Sequence, residues 1–136
     1  MSPEEIEAHA QAAIDKGSAS FAAAARMFDR QTRLSVVLLY AWCRHCDDVI
    51  DGQSLGSRTL QTDSEGLERL AGLMRQTAAA LDGAPDGPAF AGLALVARRH
   101  ELAREDLYEH LEGFGMDVRG ERYATLAQLL VYCHRV

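Results

Sequence analysis

Apolar side chains recur every three to four residues along this chain, in blocks separated by clusters of Gly, Pro, Ser and Asp. That period puts each block on one face of an α-helix. Ser2-Pro3-Glu4-Glu5 reads as a helix start, with Ser at the N-cap, Pro at the first helical position and acids in the first turn. This first helix is expected to run to about Lys16 and stop at Gly17. Ser18 then caps a second, through Phe21 and four alanines to Phe28. A third begins near Gln31 or Thr32, carries Leu34, Val37, Leu38, Ala41 and His45 on one face, and ends around Asp51-Gly52, where the Gly suits a C-cap.

Residues 52–64 are rich in Gly, Ser, Thr and Asp and read as a loop. Ser64 opens a fourth helix whose buried stripe is Leu67, Leu70, Leu73 and Met74. It stops before Asp82-Gly83-Ala84-Pro85-Asp86-Gly87-Pro88, the clearest turn cluster in the chain. Helices are then expected from Phe90 to about His100, and from Arg104 to about Gly115 with Leu107, Leu111 and Phe114. The last apolar segment starts at Leu126 and has no stop signal behind Val131-Tyr132-Cys133-His134-Arg135-Val136. The pattern predicts an all-α chain forming a single partial domain over residues 1–136, the first part of a longer helical protein.

Composition agrees: of 136 residues 48% are apolar and only 3 are Pro, and Ala and Leu, which lose little freedom in helices, recur throughout. Charge narrows the function. With 20 acidic and 14 basic side chains the net charge is −6, which argues against non-specific nucleic-acid binding, since that needs Lys and Arg to displace counterions. A polyanionic substrate would need cations or a local Arg cluster to offset the repulsion. Glu4, Glu5 and Glu7 occupy the start, where a secretory signal would be basic. The best apolar run, 34–43, is about half the ~20 residues that cross a bilayer. These features predict a cytoplasmic protein with reduced thiols at Cys43, Cys46 and Cys133, and leave peripheral membrane contact open.

The candidate chemistry lies at the end of the third helix. Asp47, Asp48 and Asp51 set three negative charges where the helix dipole is also negative, so the site opposes carboxylates twice over, each effect costing about 0.3–1 kcal/mol. A bound cation would balance them. Asp47 and Asp51 are four apart and share a face, and Arg44 and Tyr40 continue that stripe backwards. Mg²⁺ takes one or two carboxylates plus phosphate oxygens, and Arg binds phosphate bidentately. Spacing alone leaves two readings open, a metal site for a diphosphate or a solvated acidic helix end.

Gly17-Ser18-Ala19-Ser20-Phe21, followed by Tyr40-Ala41-Trp42-Cys43-Arg44-His45-Cys46-Asp47-Asp48-Val49-Ile50-Asp51, resembles the phytoene and squalene synthase family. Gly115-Met116-Asp117 and Tyr132-Cys133-His134-Arg135-Val136 are similar to that family's later blocks, in the same order. Within the family the likeness is to bacterial phytoene synthases. The resemblance implies the amino-terminal half of an isoprenoid synthase helical bundle that joins two prenyl diphosphates head to head through a cyclopropyl diphosphate. For phytoene synthases the substrate is geranylgeranyl diphosphate, with Mg²⁺ or Mn²⁺ and no nicotinamide reductant. It implies metal binding by Asp47 and Asp51 with Asp48 in support, a diphosphate contact at Arg44, a place near the first diphosphate for Ser18, Ser20 and Phe21, and a catalytic role for Tyr132. On physical grounds Phe21, Tyr40 and Trp42 could stabilise a carbocation through their ring faces. The family's second aspartate-rich motif is not reproduced by Glu101, Glu105, Asp106, Glu109, Glu112 or Asp117, so activity of these 136 residues alone is doubtful.

Other signals have plainer readings. Cys43-Arg44-His45-Cys46 has zinc-like spacing but lies in an apolar helix with no second pair, which favours buried structural thiols. Arg98-Arg99-His100 with Arg104 reads as a solvated helix end. The run Ala22–Ala25 with Met27 and Phe28 reads as close-packed core, and Ser18 and Ser20 as caps. Competing functions are a squalene or dehydrosqualene synthase using farnesyl diphosphate, an all-α Mg²⁺ pyrophosphohydrolase, and a non-catalytic helical module that dimerises.

Overall fold

The structure, a computed structural model, describes residues 1–51 and 62–136, with the backbone alone at Thr62 and Asp63. Most of the loop expected over 52–64 therefore lies outside the described residues. The described chain is all-α. It comprises α1 (Pro3–Gly17), α2 (Ala19–Ala25), α3 (Arg30–Asp51), α4 (Thr62–Leu81), α5 (Pro88–His100), α6 (Arg104–Val118) and α7 (Leu126–Arg135).

The ends follow local chemistry. Ser2 and Glu5 form a reciprocal capping box, Glu5 N–H donating to Ser2 Oγ (3.2 Å) and Ser2 N–H to the Glu5 carboxylate (2.7 Å). Ser18 serves two helices: its N–H closes α1 onto the Ile14 carbonyl (2.9 Å), and its hydroxyl accepts from Phe21 N–H (3.2 Å) to open α2. Thr125 and Gln128 repeat the capping box at α7. Gly87 precedes Pro88 with φ 88°, a value open to Gly at little cost. Glu101 takes the left-handed α region (φ 51°, ψ 45°) at the end of α5, where Leu102 N–H returns to the Ala97 carbonyl at 3.0 Å, a Schellman closure.

Four boundaries differ from expectation by two residues or more: the end of α2, the start of α4, the start of α5 (Pro88, not Phe90) and the end of α6 (Val118, not Gly115). α2 stops at Ala25, not Phe28, because Asp29 caps α3, its carboxylate accepting from Gln31 and Thr32 N–H at 3.1 and 3.3 Å. Arg33 locks that turn by donating to the carbonyls of Arg26 and Phe28, both at 3.2 Å. Met27 and Phe28 consequently stand out in water, and of the four alanines only Ala22 and Ala25 are buried. α4 begins two residues before Ser64, and Leu67, expected in its buried stripe, is 39% exposed while Leu70 and Leu73 are buried.

The chain divides into two compact units. The first comprises residues 1–45 and 76–102, and in it α1 packs on α2 and α5. Ile6, Ala10 and Ile14 meet Val37, Leu38 and Ala41 of α3, as the three-to-four spacing of both sets requires. α3 and α5 approach closely at Gly92, where a Cβ would lie 3.1 Å from Leu38 Cδ2. Ser35, buried, is held by His100 Nε2 (2.9 Å) and Arg99 (3.2 Å), so part of the basic end of α5 is tied to α3, while Arg98 is exposed.

The second unit comprises residues 46–75 and 103–136. Here α6 packs on α7 and uses small residues to do so. A Cβ at Gly113 would meet Val136 at 2.8 Å and one at Gly115 would meet Leu70 at 2.9 Å; on α4, one at Gly66 would meet Val118 at 2.6 Å. Leu107, Leu111 and Met116 are buried, and Arg135 reaches Glu109 at 2.8 Å. The apolar positions Leu126, Leu129, Leu130 and Val131 of α7 remain exposed. Among the described residues no helix is long and apolar enough to cross a membrane.

Candidate functional site

The residues singled out from the sequence fall into two groups, one in each unit. In the first unit, Ser18, Ser20, Phe21 and Tyr40 lie together. The hydroxyls of Ser18 and Ser20 are 3.3 Å apart, with Ser18 committed to capping. Phe21, 63% exposed, packs its ring at 5.9 Å from that of half-buried Tyr40. Tyr40 leans over Gly17, where any side chain would collide with its hydroxyl. The Gly that ends α1 thus also clears room for the tyrosine. Arg44, exposed, is one turn further along α3. Trp42 is buried in the core of this unit, 1% exposed. His45 is half-buried and packs edge-on against Phe90 at 5.3 Å.

In the second unit, the last turn of α3 carries Asp47, Asp48 and Asp51. Asp47 and Asp51 share a face of the helix, as their four-residue spacing requires, close enough for one carboxyl, when protonated, to bond the other. Loss of water first, then that bond and the negative charges of Asp47, Asp117 and Asp48, hold the Asp51 carboxyl above its ordinary value. Two carboxylates drawn together at the negative end of a helix form a hard-oxygen donor set that a divalent cation would relieve. Among the described residues no group of three His, Cys, Asp or Glu side chains assembles as metal ligands. A cation such as Mg²⁺, which keeps several waters, needs only one or two carboxylates beside a phosphate, and two are what this turn of α3 offers.

Tyr132, half-buried on α7, donates its hydroxyl to Asp117 of α6 at 3.0 Å and packs its ring 5.5 Å from Tyr123. Partial burial, then the Asp117 bond and charge, push its phenol up to about 12. The sequence marks Asp117, in Gly115-Met116-Asp117 and among the later acids, but not as a partner of Tyr132, and Tyr123 carries no signal beyond its nine-residue offset from Tyr132. The thiols differ: Cys46 is buried, Cys43 is half-buried with its thiol pushed up to about 11 by burial, and Cys133 is exposed. Burial fits the structural reading at Cys46, in part at Cys43, and not at Cys133.

The fold has a solved counterpart. A dehydrosqualene synthase, crystallised in complex with a ligand, superposes with a TM-score of 0.81 at 25% identity, over 98% of this chain and 44% of that one. The class is thus the isoprenoid synthase helical fold. The family model described as squalene/phytoene synthase matches residues 14–136, and the chain belongs to that family. Similar curated proteins include the phytoene synthase of Pseudescherichia vulneris, 45% identical over all of this chain and 45% of that protein, and the 15-cis-phytoene synthase of Pantoea ananas, 47% identical over 94% and 42%. That of Paracoccus sp. is 48% identical over 91% and 41%. The chain spans less than half the length of these relatives.

Proposed function

We propose that this chain is the part of a phytoene synthase-type transferase that carries the first diphosphate-metal motif, and that residues 1–136 belong to one domain of it. The observation that carries the reading is the convergence of Asp47 and Asp51 on the last turn of α3 in a chain 45–48% identical to phytoene synthases. The reaction proposed is the head-to-head joining of two geranylgeranyl diphosphates, through a cyclopropyl diphosphate, to phytoene and diphosphate. Mg²⁺ or Mn²⁺, when bound, neutralises charge on the departing diphosphate. Asp47 and Asp51 hold the metal and Asp48 adds charge beside them. Arg44 presents its guanidinium fork to the diphosphate. Ser18, Ser20 and Phe21 stand by the first substrate, and the paired rings of Phe21 and Tyr40 offer faces to a carbocation. Tyr132 serves proton handling or the steering of that cation. No nicotinamide reductant takes part, and the setting proposed is the cytoplasm with peripheral contact to a membrane.

The test is a chimera in which this chain replaces the segment it matches in the Pantoea ananas protein, assayed with geranylgeranyl diphosphate and Mg²⁺. Phytoene formation is expected. Asp47→Ala should lower turnover by more than about a hundredfold, since even outer-shell partners of metal ligands are worth about ten- to a hundredfold. No phytoene from the chimera, or unchanged turnover in Asp47→Ala, overturns the reading. Farnesyl diphosphate as the preferred substrate would move the assignment to a dehydrosqualene synthase.

The exposed apolar positions of α7 favour a second reading beside this one, a helical module that pairs with another copy of itself. Light scattering decides it: a monomer at the highest attainable concentration removes the dimer.

A further inference from the structure

One carboxylate in the second unit has two connections that neither the aspartate motif nor the family likeness assigns. Asp117 Oδ2 accepts the Tyr132 hydroxyl at 3.0 Å, and the negative charge of Asp117 also bears on Asp51. It therefore ties the end of α6 to α7 on one side and lies in the field of the aspartate-bearing turn of α3 on the other.

We propose that Asp117 is a positioning residue for Tyr132, fixing the direction of its hydroxyl. The inference rests on the functional reading above for the use to which Tyr132 is put. A phenol has one hydrogen to donate and lone pairs to accept with, and an ionised carboxylate only accepts. The Tyr132 hydrogen is therefore aimed at Asp117, and the oxygen lone pairs are turned away from it. Bonds to ionised acceptors are roughly twice as strong as neutral ones, so this direction is held firmly. Tyr123, with its ring at 5.5 Å and 36° to that of Tyr132, restrains the ring itself. Two contacts thus fix a side chain that would otherwise be free about two torsions and a hydroxyl rotor. A tyrosine held in this way offers its oxygen to a cation or to an incoming proton, and is poorly placed to donate one to substrate.

The experiment uses this chain with ¹³Cζ-labelled tyrosine. Its four tyrosines give four signals, and Tyr132→Phe identifies the one in question. In Asp117→Ala the Tyr132 signal is expected to move to the position of a water-solvated phenol while those of Tyr40 and Tyr108 hold. In Asp117→Asn, whose amide oxygen still accepts but carries no charge, it should move part of the way. A Tyr132 signal unmoved in Asp117→Ala overturns the proposal. If that variant does not fold, an unmoved signal in Asp117→Asn does so equally. None of these signals depends on turnover, so they are separate from the chimera assay: a chimera without product removes the functional reading and leaves the assignment of Asp117 to Tyr132 intact.

Discussion

The two units are built on different plans. The first is closed by apolar side chains at helical spacing, with Ile14 and Leu93 fully excluded from water, and its polar groups are mostly caps and staples. The second has fewer buried apolar side chains among the described residues, brings glycines of α4 and α6 against neighbouring side chains, and gathers like charge at Asp47, Asp48, Asp51 and Asp117. The first plan makes a scaffold. The second gathers carboxylates at an electrostatic cost that a bound cation would offset, the kind of perturbed cluster that marks a candidate functional site.

That contrast can be broken, beginning with the core. Ile14→Ala should destabilise the chain by about 2–5 kcal/mol in urea unfolding, because the site is closed on all sides and cannot collapse readily. A loss below about 1 kcal/mol would mean that α1 is not the scaffold described. A smaller effect belongs to the caps: Thr125→Ala should cost about 1 kcal/mol and Ser2→Ala a similar amount. If the Ser2 change alone is silent, the capping box of α1 is not formed in solution.

The smallest effect sharpens the comparison most. Asp51 has a folded pKa above its unfolded value, so the native state binds the proton more tightly. Stability should therefore fall as pH rises from about 4 through the raised pKa, and ionised Asp51 should be a liability at neutral pH. Asp51→Asn is expected to raise the melting temperature slightly at pH 7 without divalent cations, and to remove most of the rise that Mg²⁺ gives the unaltered chain. A lower melting temperature in Asp51→Asn without Mg²⁺ would show that the aspartate turn is structural rather than charged for binding.

Much of this was legible in the sequence, and the reasons are local. Ser2, Ser18, Gly87-Pro88 and the periodic apolar positions announce helices because caps and faces act over three or four residues. Asp47 and Asp51 were legible for the same reason. What escaped was what packing decides. The alanine run read as helix to Phe28 because nothing in it forbids one, and only Asp29 capping α3, with Arg33 bonding back across the turn, ends it at Ala25. Leu67 has the right period for burial, yet it is 39% exposed. Tyr132 and Asp117 are 15 residues apart and meet only because α6 and α7 pack.

The unequal thiols have a practical use. Cys46 is closed to solvent and Cys43 is held as a thiol far above neutral pH, whereas Cys133 is exposed one residue from Tyr132. Because the thiolate is the nucleophile, a maleimide fluorophore added at pH 7 should attach at Cys133 alone. The unaltered chain can thus carry a single reporter beside its candidate catalytic tyrosine.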